Sequence, residues 1–296
     1  MIRYTQCPLC SSTDIHPALT IVDYTVSQQP FAVLHCNACT ARFTQDIPSQ
    51  TEIGVYYQAD SYVSHTDTNK GLVNRLYHMV RSRTLQTKKK WINKHTGRQS
   101  GNLLDIGSGT GAFLNCMQTA QWQCTGLEPD ESARKIASTR YGIEAKLPEQ
   151  LFQLAPQSFD AITMWHVLEH VHTLHDYVQQ LASLIKPDGK IFIAVPNYTS
   201  LDADLYQAHW AAYDVPRHLY HFSPASMEQL LSKHQLKLVA IQPMWYDSFY
   251  VSMLSEKYKN GKGNFIKACW NGLRSNLKAL RNPGYCSSLV YVIEKK

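Results

Sequence analysis

From residue 103 onward, short continuous apolar runs alternate with segments whose apolar residues recur every three or four positions. The runs 103–106, 124–127, 159–165, 191–195, 236–241 and 288–294 predict strands, with a short one between them at 143–146. The periodic segments 131–141, 172–185 and 224–234 predict helices, and Pro148 opens another. In the 172–185 segment, Leu174, Val178, Leu181 and Ile185 share one face. Such alternation predicts an α/β fold: a doubly wound, mostly parallel, seven-stranded sheet with helices on both faces. In that architecture a ligand binds at the carboxyl ends of the strands, where the strand order reverses.

The first of these strand ends carries the most informative stretch. Leu103, Leu104 and Ile106 run into a turn with glycine at 107, 109 and 111, after which Ala112, Phe113 and Leu114 begin a helix. Glycine lets the backbone turn sharply and lets a ligand approach without a Cβ in the way. The helix start aims unpaired N–H groups and a positive dipole end at the same space. Glu128 and the segments after Trp165 and Val195 fall at neighbouring strand ends.

The first 47 residues follow another pattern. Cys7-Pro8-Leu9-Cys10 and Cys36-Asn37-Ala38-Cys39 stand 25 residues apart, with alternation between them that suits short strands. Two C-x-x-C turns supply four thiolates, a closed tetrahedral set that predicts structural zinc in a ribbon domain. Ser11 and Thr40 follow the second cysteine of each pair, where glycine is common. Residues 48–69 are polar and aromatic and predict a connector. From 70 to 94 the apolar spacing is helical, and Lys70, Arg75, Arg81, Arg83, Lys88, Lys89, Lys90, Lys94 and Arg98 occur with no acid among them. The domains expected are 1–47, 48–98 and 99–296.

Composition narrows the class. The chain has 296 residues, 44% of them hydrophobic and 18% charged, with a formal charge of +6. No apolar run reaches membrane-span length and no secretory leader is evident, so the expectation is a cytoplasmic protein. The basic helix raises a nucleic-acid-binding or RNA-modifying alternative. Against it, residues 1–47 hold only Arg3 and Arg42 as basic residues besides histidine, too few for a surface that tracks phosphates. Gly107, Gly109 and Ala112 also satisfy a loose dinucleotide pattern. Asp105 beside the loop is a poor neighbour for a pyrophosphate and argues against a nicotinamide cofactor.

Four segments in order, LDIGSGTG, GLEPD, FDAITMWHVLEHV and LIKPDGKIFIAVPN, give the chain its resemblance to the class I S-adenosylmethionine-dependent methyltransferases, in the branch similar to the ubiquinone-biosynthesis O-methyltransferases. The resemblance spans about residues 100–197. It implies a Rossmann-like sheet whose last two strands form an antiparallel hairpin at the edge, with residues 247–287 a helical insertion between them. It implies that Gly107, Gly109 and Gly111 approach the cofactor backbone and that Asp105 lies near its amino group. Glu128 would then chelate the ribose hydroxyls, Pro129 flank the adenine, and His166, Val167 and Leu168 line the methionine side.

A methyl acceptor with a hydroxyl needs a base, and histidine titrates in the useful range. His166 and His170 follow the fourth strand; His218 and His221 lie in 210–222 together with Asp214 and Arg217. That segment is expected to close over the crevice, with His218 or His221 ahead of His166 as catalytic base. Packing of Trp210, Tyr213, Tyr220 and Phe222 is the competing account of it. Arg217 suits an anionic acceptor or a pairing with Asp214, and His170 suits a helix cap. The acceptor expected is a small molecule: a hydroxyl or carbon of a sugar, lipid or quinone-like metabolite.

Overall fold

The computed structural model describes residues 1–58 and 72–296, and side chains from residue 79 in the first long helix. Tyr62, His65 and Lys70, and the side chains of Leu72, Val73, Arg75 and Leu76, lie outside the described residues. The N-terminal part folds as strands β1 (Ile15–Val22), β2 (Pro30–Cys36) and β3 (Arg42–Thr44). Helix α1 (Leu72–Thr96) leads into β4 (Gly101–Ile106), α2 (Ala112–Thr119), β5 (Trp122–Leu127) and α3 (Glu131–Tyr141). There follow β6 (Phe159–Trp165), α4 (Leu174–Leu184), β7 (Ile185–Pro196), α5 (Leu201–Tyr206) and the two-residue β8 (Tyr220–His221). Helix α6 (Pro224–Ser232), β9 (Leu236–Pro243), α7 (Asp247–Asn260), α8 (Phe265–Arg281) and β10 (Ser288–Lys295) complete the chain.

The main sheet has the order β5-β4-β6-β7-β10-β9. β5, β4, β6 and β7 are parallel, and β10 runs antiparallel between β7 and β9. β9 and β10 form an antiparallel hairpin at the edge, with α7 and α8 between them in the chain. β6 and the second half of β7 are almost wholly buried, as parallel strands covered on both faces must be. Local signals set the helix ends. The Asp130 carboxylate accepts from Ala133 N and starts α3, Gly142 ends it at φ 67°, and Ser223 and Ser226 cap α6 reciprocally.

Among the described residues the sheet has six strands, where seven were expected. Residues 143–146 make a single parallel bridge, Lys146 to Leu127, with Glu128 N donating to Lys146 O. Ile143 is drawn into the core and Pro148, with no N–H, stands two residues after Lys146, so the ladder stops. The segment opened by Pro148 is a short 3-10 helix.

The expected boundary at residue 47 does not separate two cores. One cluster joins Leu9, Leu34, Phe43 and Ile47 to Leu174, Val178 and Leu181 of α4 and to α6. A second covers the other sheet face with Ile92, Phe113, Leu114 and Met117. A third joins Ile21, Phe31 and Val33 to Tyr206, Trp210, Tyr213 and Val251. The small N-terminal sheet has the order β1-β2-β3-β8, so its fourth strand comes from the segment after β7.

Candidate functional site

The glycine loop sits at the end of β4, where β5 lies on one side and β6 on the other. Gly107, Gly109 and Gly111 all have positive φ. A Cβ on Gly107 would meet Val167 Cγ2 at 2.4 Å, and one on Gly111 would meet Ala137 Cβ at 2.9 Å. Gly109 is different: a Cβ there meets nothing within 4 Å. Two of the glycines thus serve the packing of the protein itself, and the middle one faces open space.

Glu128 closes the loop from β5. Its carboxylate accepts from Gly109 N at 2.7 Å and from Asp130 N at 2.9 Å. An ionised carboxylate offers about four acceptor positions, so two remain for ligand hydroxyls. Pro129 is exposed at the mouth beside it. Asp105 is buried and accepts from Thr163 Oγ1 at 2.6 Å. Burial pushes its carboxyl up, against the Thr163 hydroxyl and the Lys88 ammonium. Burial likewise pushes Lys88 down, against Asp105 and Asp247. Lys88 Nζ stands 4.0 Å from the centre of the Trp165 ring.

His166 has φ 58° at the end of β6. Its Nε2 lies 3.2 Å from Asp247 Oδ2, and its Nδ1 lies 3.5 Å from Glu169 Oε1. Burial opposes its charge, but the Asp247 and Glu169 carboxylates prevail and raise its pKa to about 9. Val167 packs on Gly107, whereas Leu168 is fully buried in the core. A cavity of about 430 Å³ opens beside Asp247, which lines it together with Thr84, Trp91, Met244, Trp245 and Phe249. Another of about 380 Å³ separates α1 from α2, with Arg81, Lys89 and Asn115 on its walls. Helix α1 therefore packs beside the ligand crevice, and Arg81 Nη2 reaches Thr110 Oγ1 of the loop at 3.4 Å.

The segment 210–222 does not form the expected lid over the crevice. Trp210, Tyr213, Leu219, Tyr220 and Phe222 are buried against β1–β3, and β8 pairs with β3. So many large apolar groups gain more from the N-terminal sheet than from covering a crevice. His221 is 4% exposed, with Nε2 3.2 Å from Thr44 Oγ1 and its ring edge-on to Tyr213. Burial, with the His218 and Arg42 charges, lowers its pKa well below the usual value. His218 Nδ1 lies 2.9 Å from Ala212 O. Arg217 takes the Asp214 pairing and extends it: its guanidinium bonds Asp214 at 2.7 Å, Asp23 at 3.0 Å, Tyr56 O at 2.9 Å, and Thr25. His170 caps no helix. Its Nδ1 lies 3.0 Å from both Tyr57 Oη and Arg217 O, and burial lowers its pKa to about 4, with the His218 charge adding to the shift.

The cysteines converge. Cys7 and Cys39 Sγ are 3.5 Å apart, as are Cys10 and Cys36, and all four lie within 4.8 Å of one another. Thiolates around one metal at about 2.3 Å stand roughly 3.8 Å apart, so the set fits a tetrahedral ion. Ser11 and Thr40 adopt φ of 65° and 61°, doing without glycine what the knuckle turn requires.

None of Asp247, Lys88 and Trp165 was expected at the site from the sequence. Lys88 is one of three consecutive lysines, and Asp247 opens an insertion far along the chain. Only Trp165, next to His166 within the strand-four segment, carried a readable signal.

A family model described as a methyltransferase domain matches residues 79–241. The ubiquinone biosynthesis O-methyltransferase of Stutzerimonas stutzeri is 29% identical over 114 residues, 36% of this chain and 49% of that protein. Its Bordetella bronchiseptica counterpart is 33% identical over 116 residues, 36% and 48% respectively. The chain thus spans about half the length of these curated relatives. Among solved structures, the magnesium protoporphyrin IX methyltransferase of Synechocystis PCC 6803 matches with a TM-score of 0.50 at 12% identity, covering 78% of this chain and 90% of that one. That likeness is one of fold.

Proposed function

Since the chain belongs to the methyltransferase-domain family, whose model spans more than half of it, we propose that it transfers a methyl group from S-adenosylmethionine to a small-molecule acceptor. The observation that carries this reading is the Gly109–Glu128 contact at the end of β4, with open space at Gly109. The ubiquinone-biosynthesis relatives add an O-methylation precedent. Bound there, S-adenosylmethionine supplies a methyl group already activated on a sulfonium. Glu128 holds the ribose hydroxyls through its remaining lone pairs, and the loop around Gly109 lies against the cofactor backbone. Asp105 orients the amino end, and Pro129 borders the adenine. The protein's remaining task is to align the acceptor and keep water out.

The aromatic cavity beside Asp247 is the acceptor site in this reading, because it is largely apolar and is lined by Asp247, the carboxylate that pairs with His166. His166 is the base once it has lost its own proton: in the neutral imidazole one ring nitrogen keeps its bond to Asp247 and the other takes the proton of an acceptor hydroxyl. His218 and His221 then position the surrounding structure rather than touch substrate. Four thiolates leave no open coordination position, so we read the cysteine cluster as structural zinc. The nucleic-acid alternative gains nothing from the N-terminal cations. Arg42 bonds Tyr213 Oη and stacks over Tyr198, and Arg3 pairs with Asp46. Among the described residues no helix is long and apolar enough to cross a membrane.

Calorimetric titration with S-adenosylhomocysteine tests the reading. Wild-type protein should bind it and Glu128→Ala should bind it much more weakly. Equal affinity in a folded Glu128→Ala variant overturns the ribose assignment, and no binding to wild type overturns the cofactor.

A further inference from the structure

Helix α8 is built inside out. The side it buries carries Ala268, Asn271, Gly272, Ser275 and Ala279, all small or polar. Gly272 lets α7 come close, since a Cβ there would meet Phe249 at 2.8 Å. Its large apolar residues face outward instead: Ile266 is 81% exposed, Trp270 60%, Leu277 52% and Leu280 67%, with Phe265 and Leu273 exposed as well. At about 100° per residue, residues 266, 270, 273, 277 and 280 form one continuous stripe. Lys267, Arg274, Lys278 and Arg281 follow along a single edge of it, and the seventeen residues include no acid. Exposed apolar residues scattered singly need no account, but a stripe of this length does.

We propose that α8 docks this protein in the plane of an anionic phospholipid surface, with the stripe in the acyl boundary and the basic edge at the headgroups. The composition is that of an interfacial helix: Trp, Phe, Ile and Leu on one side, Lys and Arg beside them. Charge decides between this occupant and a second copy of the chain. Lys267 is paired with Glu256 of α7, but paired copies would bring Arg274, Lys278 and Arg281 near one another with no acid on α8 to answer them, whereas a phosphate-bearing surface complements them. Helix α7 adds exposed Tyr250 and Met253 to the same helical hairpin. Docking in this mode needs no spanning segment and does not depend on the methyltransferase reading.

The test is co-sedimentation of the full chain with vesicles of phosphatidylcholine alone or of phosphatidylcholine mixed with phosphatidylglycerol. Binding is expected to the mixed vesicles, weakened by added salt, and much less to phosphatidylcholine alone. Trp270→Ser with Leu277→Ser, and separately Arg274→Glu with Arg281→Glu, should each lower partitioning roughly tenfold or more. These side chains are exposed, so circular dichroism of the variants should match wild type. Absence of wild-type partitioning overturns the proposal, as does partitioning unchanged in both variants. Light scattering that shows a dimer, lost in Leu277→Ser, without vesicle binding assigns the stripe to a second copy instead.

Discussion

The crevice and the seam between β3 and β8 are both dense in titratable groups, yet they differ in how those groups are satisfied. In the seam, Arg217 is enclosed by Asp23, Asp214, Thr25 and the Tyr56 carbonyl, and His221 is held neutral against Thr44. In the crevice, Asp105 and Lys88 are both pushed toward neutrality, and His166 is 34% exposed and still charged between two carboxylates. Saturated partners and full burial mark a clamp. Strained protonation beside a cavity marks a place where chemistry can occur. Density of ionisable groups alone does not separate the two.

Removing metal tests the seam hardest. If zinc holds the cysteine cluster, strong chelation should remove on the order of 10 kcal/mol of binding energy coupled to folding. Loss of β8 pairing should follow, seen as exchange of the Thr44 amide, which donates to Leu219 O. Retained protection after complete zinc removal would separate the seam from the metal. Arg217→Ala leaves Asp23 buried and Asp214 half-buried without their cation, and should cost about 3–5 kcal/mol in urea unfolding. A loss below about 1 kcal/mol would show that the clamp is loose.

The crevice predictions concern rate and affinity. His166→Ala should slow methyl transfer roughly a hundredfold while cofactor affinity stays near wild type. His221→Ala should lower stability more than it lowers the rate per folded molecule; the reverse pattern would move the base into the seam. Glu128→Ala should weaken S-adenosylhomocysteine by about 1.5–3 kcal/mol for each charge-assisted bond lost.

The smallest effect is one of pH, with opposite signs in the two regions. His166 has a raised pKa, so its stabilisation is complete below about 6.5 and is lost as pH rises through about 9. His170 and His221 have lowered pKa values, so their contribution is present above about 6.5 and is lost as pH falls, for His170 through about 4. If His166 is the base, the transfer rate should also climb toward pH 9. Ring proton shifts in NMR would follow each histidine, and parallel titration of His166 and His221 would erase the contrast.

How much could be read beforehand follows the range of the interactions. The limits of α3 and β6 were readable because capping residues and a continuous apolar run are local. The glycine loop and the two C-x-x-C turns were readable for the same reason. The seam was not, because β8 is two residues long and its identity lies in a partner near residue 43. Residues 143–146 carried a strand-like composition that Pro148 cut short. Asp247 belongs to His166 only through the fold, and Lys88 was hidden in a basic run whose members point in different directions.

The pairing of β3 with β8 also bears on how the chain is made. Thr44 and His221 are 177 residues apart. At roughly 5–20 residues per second, the N-terminal sheet emerges from a ribosome on the order of 10–35 s before the strand that completes it. Throughout that interval β3 is an open edge flanked by apolar side chains, the kind of surface on which nascent chains pair with one another. Early capture of a metal ion by Cys7, Cys10, Cys36 and Cys39 would keep that half-built sheet in register until its last strand arrives.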